Sequence, residues 1–252
     1  MRIPRIFLAS DLHAAFSNGK PVDFDETSRR HTAQVLRLKS GAAVILFDGR
    51  GGEFEAILTE VSKRRVAAQL SAFVDRCVES PLTVTLIQAL SRGERMDMTL
   101  QKATELGVKQ VVPVITERCG VHLPEDRQEK RRQHWQGIVT AACQQSGRTR
   151  LPTIAEIQTL STCLQNTPAG DELRLTLDPA AEQRLGQIAE HHETAPGRIT
   201  LLIGPEGGLT ANEIRLAQHH GFVTVALGPR ILRTETAGMT AIAVLQALWG
   251  DL

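Results

Sequence analysis

The chain has no tyrosine, two tryptophans and seven phenylalanines in 252 residues. So small an aromatic supply argues against an aromatic platform for stacking unpaired bases. Cysteine is scarce as well. Cys77, Cys119, Cys143 and Cys163 are scattered and form no CxxC pair, which suits reduced thiols and speaks against a zinc site. The eight histidines form no HExxH motif, and the His191-His192 and His219-His220 pairs read as solvated helix faces. No run of 18 apolar residues offers a membrane-spanning helix. The opening MRIPRIFLASDLH lacks the long apolar stretch of a secretory signal. A cytoplasmic protein with no metal and no membrane partner is the expectation.

What the chain does have is 42% hydrophobic residues, enough for one large or two modest domains. Its net charge of +1 conceals an asymmetry: residues 1–150 carry +6 and residues 151–252 carry −5. A polyanionic partner would meet the first half. The basic runs SKRR (Ser62–Arg65) and EKRRQHW (Glu129–Trp135) read as solvated faces that can add salt-dependent phosphate binding.

Two rhythms divide the chain. Residues 1–75 give short apolar or alternating runs split by DGRGG and SKRR, the pattern of a small barrel with one helix over DETSRRHTAQVLRL. From Pro81 onward, apolar strands alternate with helices, which implies a mainly parallel sheet covered on both faces. The expected domains are therefore 1–75 and 76–252. Ser91 with Glu94, and Thr210 with Glu213, have capping-box spacing ahead of helices. A long charged helix is expected from Asp126 to Gln145, stopped at Gly147.

Three successive strands end in turn-prone sequence: LTLDP (Leu175–Pro179), IGPEGG (Ile203–Gly208) and LGPRILRTETAG (Leu227–Gly238). In parallel sheets, ligands collect beyond the carboxyl ends of strands. Neither GxxxxGK[ST] nor GxGxxG is present, so the usual nucleotide-phosphate cradles are excluded. Proline stiffens each exit while glycine lets a ligand approach the backbone. The second Gly-Pro loop sets Arg230, Arg233 and Glu235 before a helix that is apolar nearly all round, with Thr234 or Thr236 as its N-cap. Such a helix lies in a core or at an interface.

IGPEGGLT and LGPRILRTETA, at this spacing, resemble the RsmE family of SPOUT methyltransferases. RIPRIF at the start, HTAQVLRLKSG near His31, QKATELGV at 101–108 and QQSGRTRLP at 144–152 agree in order. The resemblance spans the chain. One departure is Gln144-Gln145, where the family usually has Glu-Gln; a role needing a carboxylate at 144 is not open to this chain.

The resemblance implies an α/β fold: a C-terminal SPOUT trefoil-knot domain, with an N-terminal PUA-like β-barrel that binds RNA. It implies S-adenosylmethionine as cofactor and a homodimer through the knot domain. The implied substrate is 16S rRNA in the small ribosomal subunit, methylated at N3 of uridine 1498 in standard rRNA numbering. Another target, such as a ribose 2′-hydroxyl, or a ribosome-binding factor without catalysis, are the competing readings.

The cofactor bed implied by the matched loops is Leu177, Ile203, Gly204, Pro205, Gly207, Gly208, Leu227, Gly228, Ile231, Leu232, Thr236 and Ala237. Arg233 is the group expected to stabilise charge on the uracil, unless it pairs with Glu235 or a target phosphate. Glu206 or Glu235 would take the N3 proton; the choice between them, or a loop-holding role for Glu206, stays open. RNA contacts are expected at Arg2, Arg5, His31, Arg37, Lys102, Gln145 and Arg148. Lys102 with Glu105 also reads as an i,i+3 helix pair.

Overall fold

The computed structural model describes residues 3–121, 123–167, 170, 172–191 and 194–252. The chain forms two compact units: Met1–Glu79 with Cys143–Leu151, and Ser80–Ala142 with Pro152–Leu252. The sequence placed a single break at residue 75. In the structure the units part between Glu79 and Ser80, and the first also takes in a segment from far along the chain.

The first unit contains β1 (Arg5–Phe7), α1 (Leu12–Ser17), β2 (Val22–Asp23), α2 (Glu26–Arg30), β3 (Ala43–Phe47), β4 (Glu53–Val61) and β5 (Val66–Val74). A π turn over His31–Val35 extends α2. The strands form one sheet in the order β1-β3-β4-β5-β2, with β1 parallel to β3 and the other pairs antiparallel. Two register shifts along β4–β5 bend the ribbon. Residues alternate inward and outward along β4, and Phe54, Ala56 and Leu58 join Ile6, Leu8, Leu46 and Val66 in the core. At the β3–β4 turn, Gly52 has φ +68° and lies against the Phe73 ring, where a Cβ would fall 2.4 Å from it. The few rings gather here: His13, Phe16 and Phe73 surround buried Phe54, and Phe16 and Phe73 remain exposed.

One carboxylate makes four of the hydrogen bonds that tie the distant segment into this unit. Glu79 accepts from Arg148 Nε (2.9 Å) and Nη2 (2.6 Å), and from the Thr149 and Arg150 N–H groups (3.2 and 3.1 Å). Gln144 Oε1 accepts from the Phe7 N–H at 2.9 Å, and an amide oxygen serves there as well as a carboxylate would.

The second unit contains β6 (Thr83–Ala89), α3 (Glu94–Glu105), β7 (Gln110–Ile115), most of α4 (Glu125–Ser146), β8 (Thr153–Ile154), β9 (Gln158–Thr159), α5 (Leu160–Asn166), β10 (Leu173–Leu177), β11 (Arg198–Ile203), α6 (Ala211–His219), β12 (Val223–Val225) and α7 (Thr234–Trp249). Every pairing among its named strands is parallel, in the order β12-β10-β11-β6-β7-β8, with β9 also on β7. Period-two alternation splits each strand between two covers. Ile87 and Ala89 of β6 pack into a cluster with Leu160 and Leu164 of α5 and Ala217 of α6. Gln88, between them, reaches Thr234 of α7, which packs on α3. The sheet is thus covered on both faces.

The Thr210–Glu213 capping box is present. The expected Ser91–Glu94 box is not: α3 starts after Gly93 (φ +57°), with no side-chain cap. The Arg92 N–H bonds instead to Glu206, so this loop is fixed from outside the helix. Among the described residues, no helix is long and apolar enough to cross a membrane.

Candidate functional site

Because β12, β10 and β11 are neighbours and parallel, their carboxyl ends open on one edge of the sheet. Their exit loops enclose a cavity of about 620 Å³, within the range of small-molecule sites. Its wall takes Leu177 from the first exit. The second gives Ile203, Gly204, Pro205, Gly207 and Gly208, and the third Leu227, Gly228, Ile231, Leu232 and Ala237. Of the residues put forward for the cofactor bed, Thr236 alone is off this wall. The helix register explains it. Arg233 is the N-cap of α7, not Thr234 or Thr236; Thr234 and Ala237, three apart, share the helix face that meets the cavity, and Thr236 lies off it. Thr234 instead works as a tie. Its hydroxyl donates to the Gly204 carbonyl (2.7 Å) and accepts from Gln88 Nε2 (3.1 Å), joining the ends of β11, β6 and α7.

The charged groups at the wall differ in their freedom. Arg233 is exposed on the cavity wall, and among the described residues its guanidinium has neither hydrogen bond nor ion pair. The alternative pairing with Glu235 does not occur. Glu206 Oε1 accepts from Arg95 Nη1 (2.9 Å) and the Arg92 N–H (3.1 Å). Partial burial pushes its carboxyl up, but hydrogen bonds from its own and the Arg92 N–H, with the Arg95 guanidinium, outweigh that and hold it below the usual carboxylate range. A carboxylate so occupied is a poor proton acceptor. Glu235 is buried off the wall, and its Oε2 has no hydrogen-bond partner among the described residues.

The residues expected to touch RNA separate in the same way. Arg2 lies outside the described residues. Arg5 and Arg148 are corrected: both are buried, at 7% and 5% exposure. Arg5 pairs with Glu53, donates to the Arg148 carbonyl (3.2 Å) and sits 5.0 Å from the Phe47 ring centre. Arg148 is held by Glu79. Both guanidiniums bind the first unit together and are not presented to a partner. His31 is half-buried at the start of the π turn, and Arg37 is exposed just beyond it with φ +53°. A π turn and a left-handed arginine side by side are a backbone irregularity of the kind that collects at functional sites. Gln145 is exposed, and Lys102 is engaged with Glu105 at 2.9 Å.

Sequence reasoning missed Arg95, Arg118, Asp178 and Thr234, which also line the cavity. For the first two the signal lay in topology. β6 and β7 are the next strands along the same edge, so their exits, carrying Arg95 and Arg118, open beside the three loops singled out.

Comparison with known proteins agrees with this geometry. An RNA methyltransferase domain model matches residues 78–246, and an RNA methyltransferase PUA domain model matches residues 24–71. The ribosomal RNA small subunit methyltransferase E of Synechocystis sp. is 36% identical over 223 residues, covering 88% of this chain and 72% of that protein. The protein of the same description from Buchnera aphidicola subsp. Schizaphis graminum is 30% identical over 251 residues, 100% and 98% of the two chains. Among solved structures, a ribosomal RNA small subunit methyltransferase E from Neisseria gonorrhoeae bound to S-adenosyl methionine is 41% identical, with a TM-score of 0.88 over 100% of both chains.

Proposed function

We propose, from the premise that this chain belongs to the family of ribosomal RNA small subunit methyltransferase E, that it methylates N3 of a uridine in 16S rRNA, uridine 1498 in standard numbering, with S-adenosylmethionine as donor. That it is an rRNA methyltransferase follows from the membership; the atom and the nucleotide are the finer reading. The observation that carries it is the cavity at three parallel strand ends, lined by apolar residues and glycines, with an arginine on its wall that is unpaired among the described residues.

The residues present fit the cofactor. Leu177, Ile203, Leu227 and Leu232 give an apolar bed for a purine. A Cβ at Gly228 would meet no atom within 4 Å, so a ligand can come up to the backbone there. When bound, S-adenosylmethionine supplies an electrophilic methyl group on a sulfonium. The chain does the rest. Arg233, exposed on the cavity wall, sets a positive charge where the uracil oxygens would gain negative charge as N3 loses its proton. With Glu206 occupied and Glu235 off the wall, the N3 proton leaves to solvent, made more acidic by the positive charge of Arg233 beside the base. The apolar wall would seat the donor, and the transfer would need nitrogen, methyl and sulfur in line.

The PUA-like domain, with Arg37, His31 and Gln145, meets the structured RNA. The enzyme acts in the cytoplasm as a homodimer through the apolar face of α7. The test is transfer of labelled methyl from S-adenosylmethionine to small ribosomal subunits that lack the modification. Incorporation into 16S rRNA is expected. No incorporation into subunits or free RNA would overturn the reading.

A further inference from the structure

The glycine turn between β11 and α6 is gripped from two sides by loops that belong to other strands. On one side, Glu206 accepts from the Arg92 N–H and from Arg95 Nη1 in the loop and first turn after β6. On the other, Arg118, after β7, donates from Nη1 to the Gly207 carbonyl at 3.2 Å. The fit there is close: a Cβ on Gly207 would lie 3.0 Å from Arg118 Cβ and 3.3 Å from its carbonyl oxygen. At the far end of the turn, Glu213 splits its carboxylate. Oε2 closes the α6 cap on the Thr210 N–H and Oε1 accepts from the Glu117 N–H, both at 2.8 Å.

A turn with glycines at 204, 207 and 208, the last at φ +70°, has little preference of its own for one shape. Inside it, Pro205 and the bond from the Gly208 N–H to the Pro205 carbonyl (2.9 Å) set a tight bend, and the outside contacts fix how that bend is held. Arg95 and Arg118 also line the cavity, beside the turn they hold.

We propose that Arg95, Arg118 and Glu206 are positioning residues: a clasp that fixes the Pro205–Leu209 turn in its ligand-ready shape before the cofactor arrives. The inference rests on the reading of the cavity as the S-adenosylmethionine site. Its physical content is preorganisation, since a turn already held loses less freedom on binding.

The experiment is calorimetric titration of the RNA-free protein with S-adenosylhomocysteine, for the wild type, Arg95→Ala, Glu206→Ala and the double variant. Glu206→Gln keeps an acceptor for the Arg92 N–H and guards against a misfolded Glu206→Ala, and thermal unfolding is followed in parallel. Expected are binding about threefold weaker for Arg95→Ala and about tenfold weaker for Glu206→Ala, with the double no weaker than Glu206→Ala. Glu206→Gln should fall between wild type and Glu206→Ala. In turnover, the cofactor KM should rise while kcat stays near wild type. Unchanged binding, losses that multiply in the double variant, or a fall in kcat at constant KM would each overturn the clasp. Failure of the wild type to bind would instead overturn the cavity assignment beneath it.

Discussion

In the proposed chemistry Arg233 stabilises the charge on the uracil; it is a cation on the cavity wall with no acid to neutralise it among the described residues. Removing one preorganised charge-stabilising group typically costs about 100-fold or more in kcat. Arg233→Ala should show that loss with cofactor affinity near wild type, and its pH–rate profile should climb at higher pH than the wild type's. Steady-state kinetics across pH checks both. Arg148 makes the opposite case. Its guanidinium is 6% exposed and pairs with Glu79, so Arg148→Ala strips a half-buried carboxylate of its cation and leaves it two backbone donors, at a cost of about 1–3 kcal/mol. Urea unfolding should register it as a lower midpoint. The sequence could not separate these two arginines: both stand in motif segments. Burial separates them, and burial depends on which distant acid lies opposite.

The elements were more legible than the side chains. Apolar runs such as ITLLI became β11, and the pattern of strand and helix gave the mainly parallel α/β domain that follows a PUA-like one. Local patterns failed where tertiary partners intervened. Ser91 and Glu94 have capping spacing, yet the Arg92 N–H between them is taken by Glu206 and the helix starts at Gly93. The return of Cys143–Leu151 to the first unit has no local signal, because its anchor, Glu79, is about 70 residues away in sequence. By contrast, Thr210 and Glu213 are satisfied by each other, and the cap formed as read. Thr210→Ala should lower stability by about 1 kcal/mol. Because α6 follows the glycine turn directly, it should also weaken cofactor binding, as chemical unfolding and titration would show.

At the scale of the molecule, its scattered cysteines set a response to pH. Burial pushes the Cys143 thiol from 9.0 up to about 12, against a partial pull from Arg148, and burial likewise lifts Cys163 to about 11. Above pH 9.0 the unfolded chain sheds these protons while the folded chain keeps them. The contribution of these two thiols should therefore be level below that pH and fall as pH rises toward about 11–12. Cys143→Ala should flatten part of the decline in urea midpoints measured across this range. Near neutral pH a thiol reagent should modify the exposed Cys77 and spare Cys143 and Cys163.

In the proposed chemistry this cavity, with Arg233 at its wall, directs methyl transfer to a uracil nitrogen. Small ribosomal subunits methylated by the purified enzyme should be digested to nucleosides and measured by mass spectrometry, with the modified position mapped on 16S rRNA. N3-methyluridine at a single position is the predicted result. A 2′-O-methyl nucleoside would keep the fold and the cofactor site but contradict the chemistry assigned to Arg233.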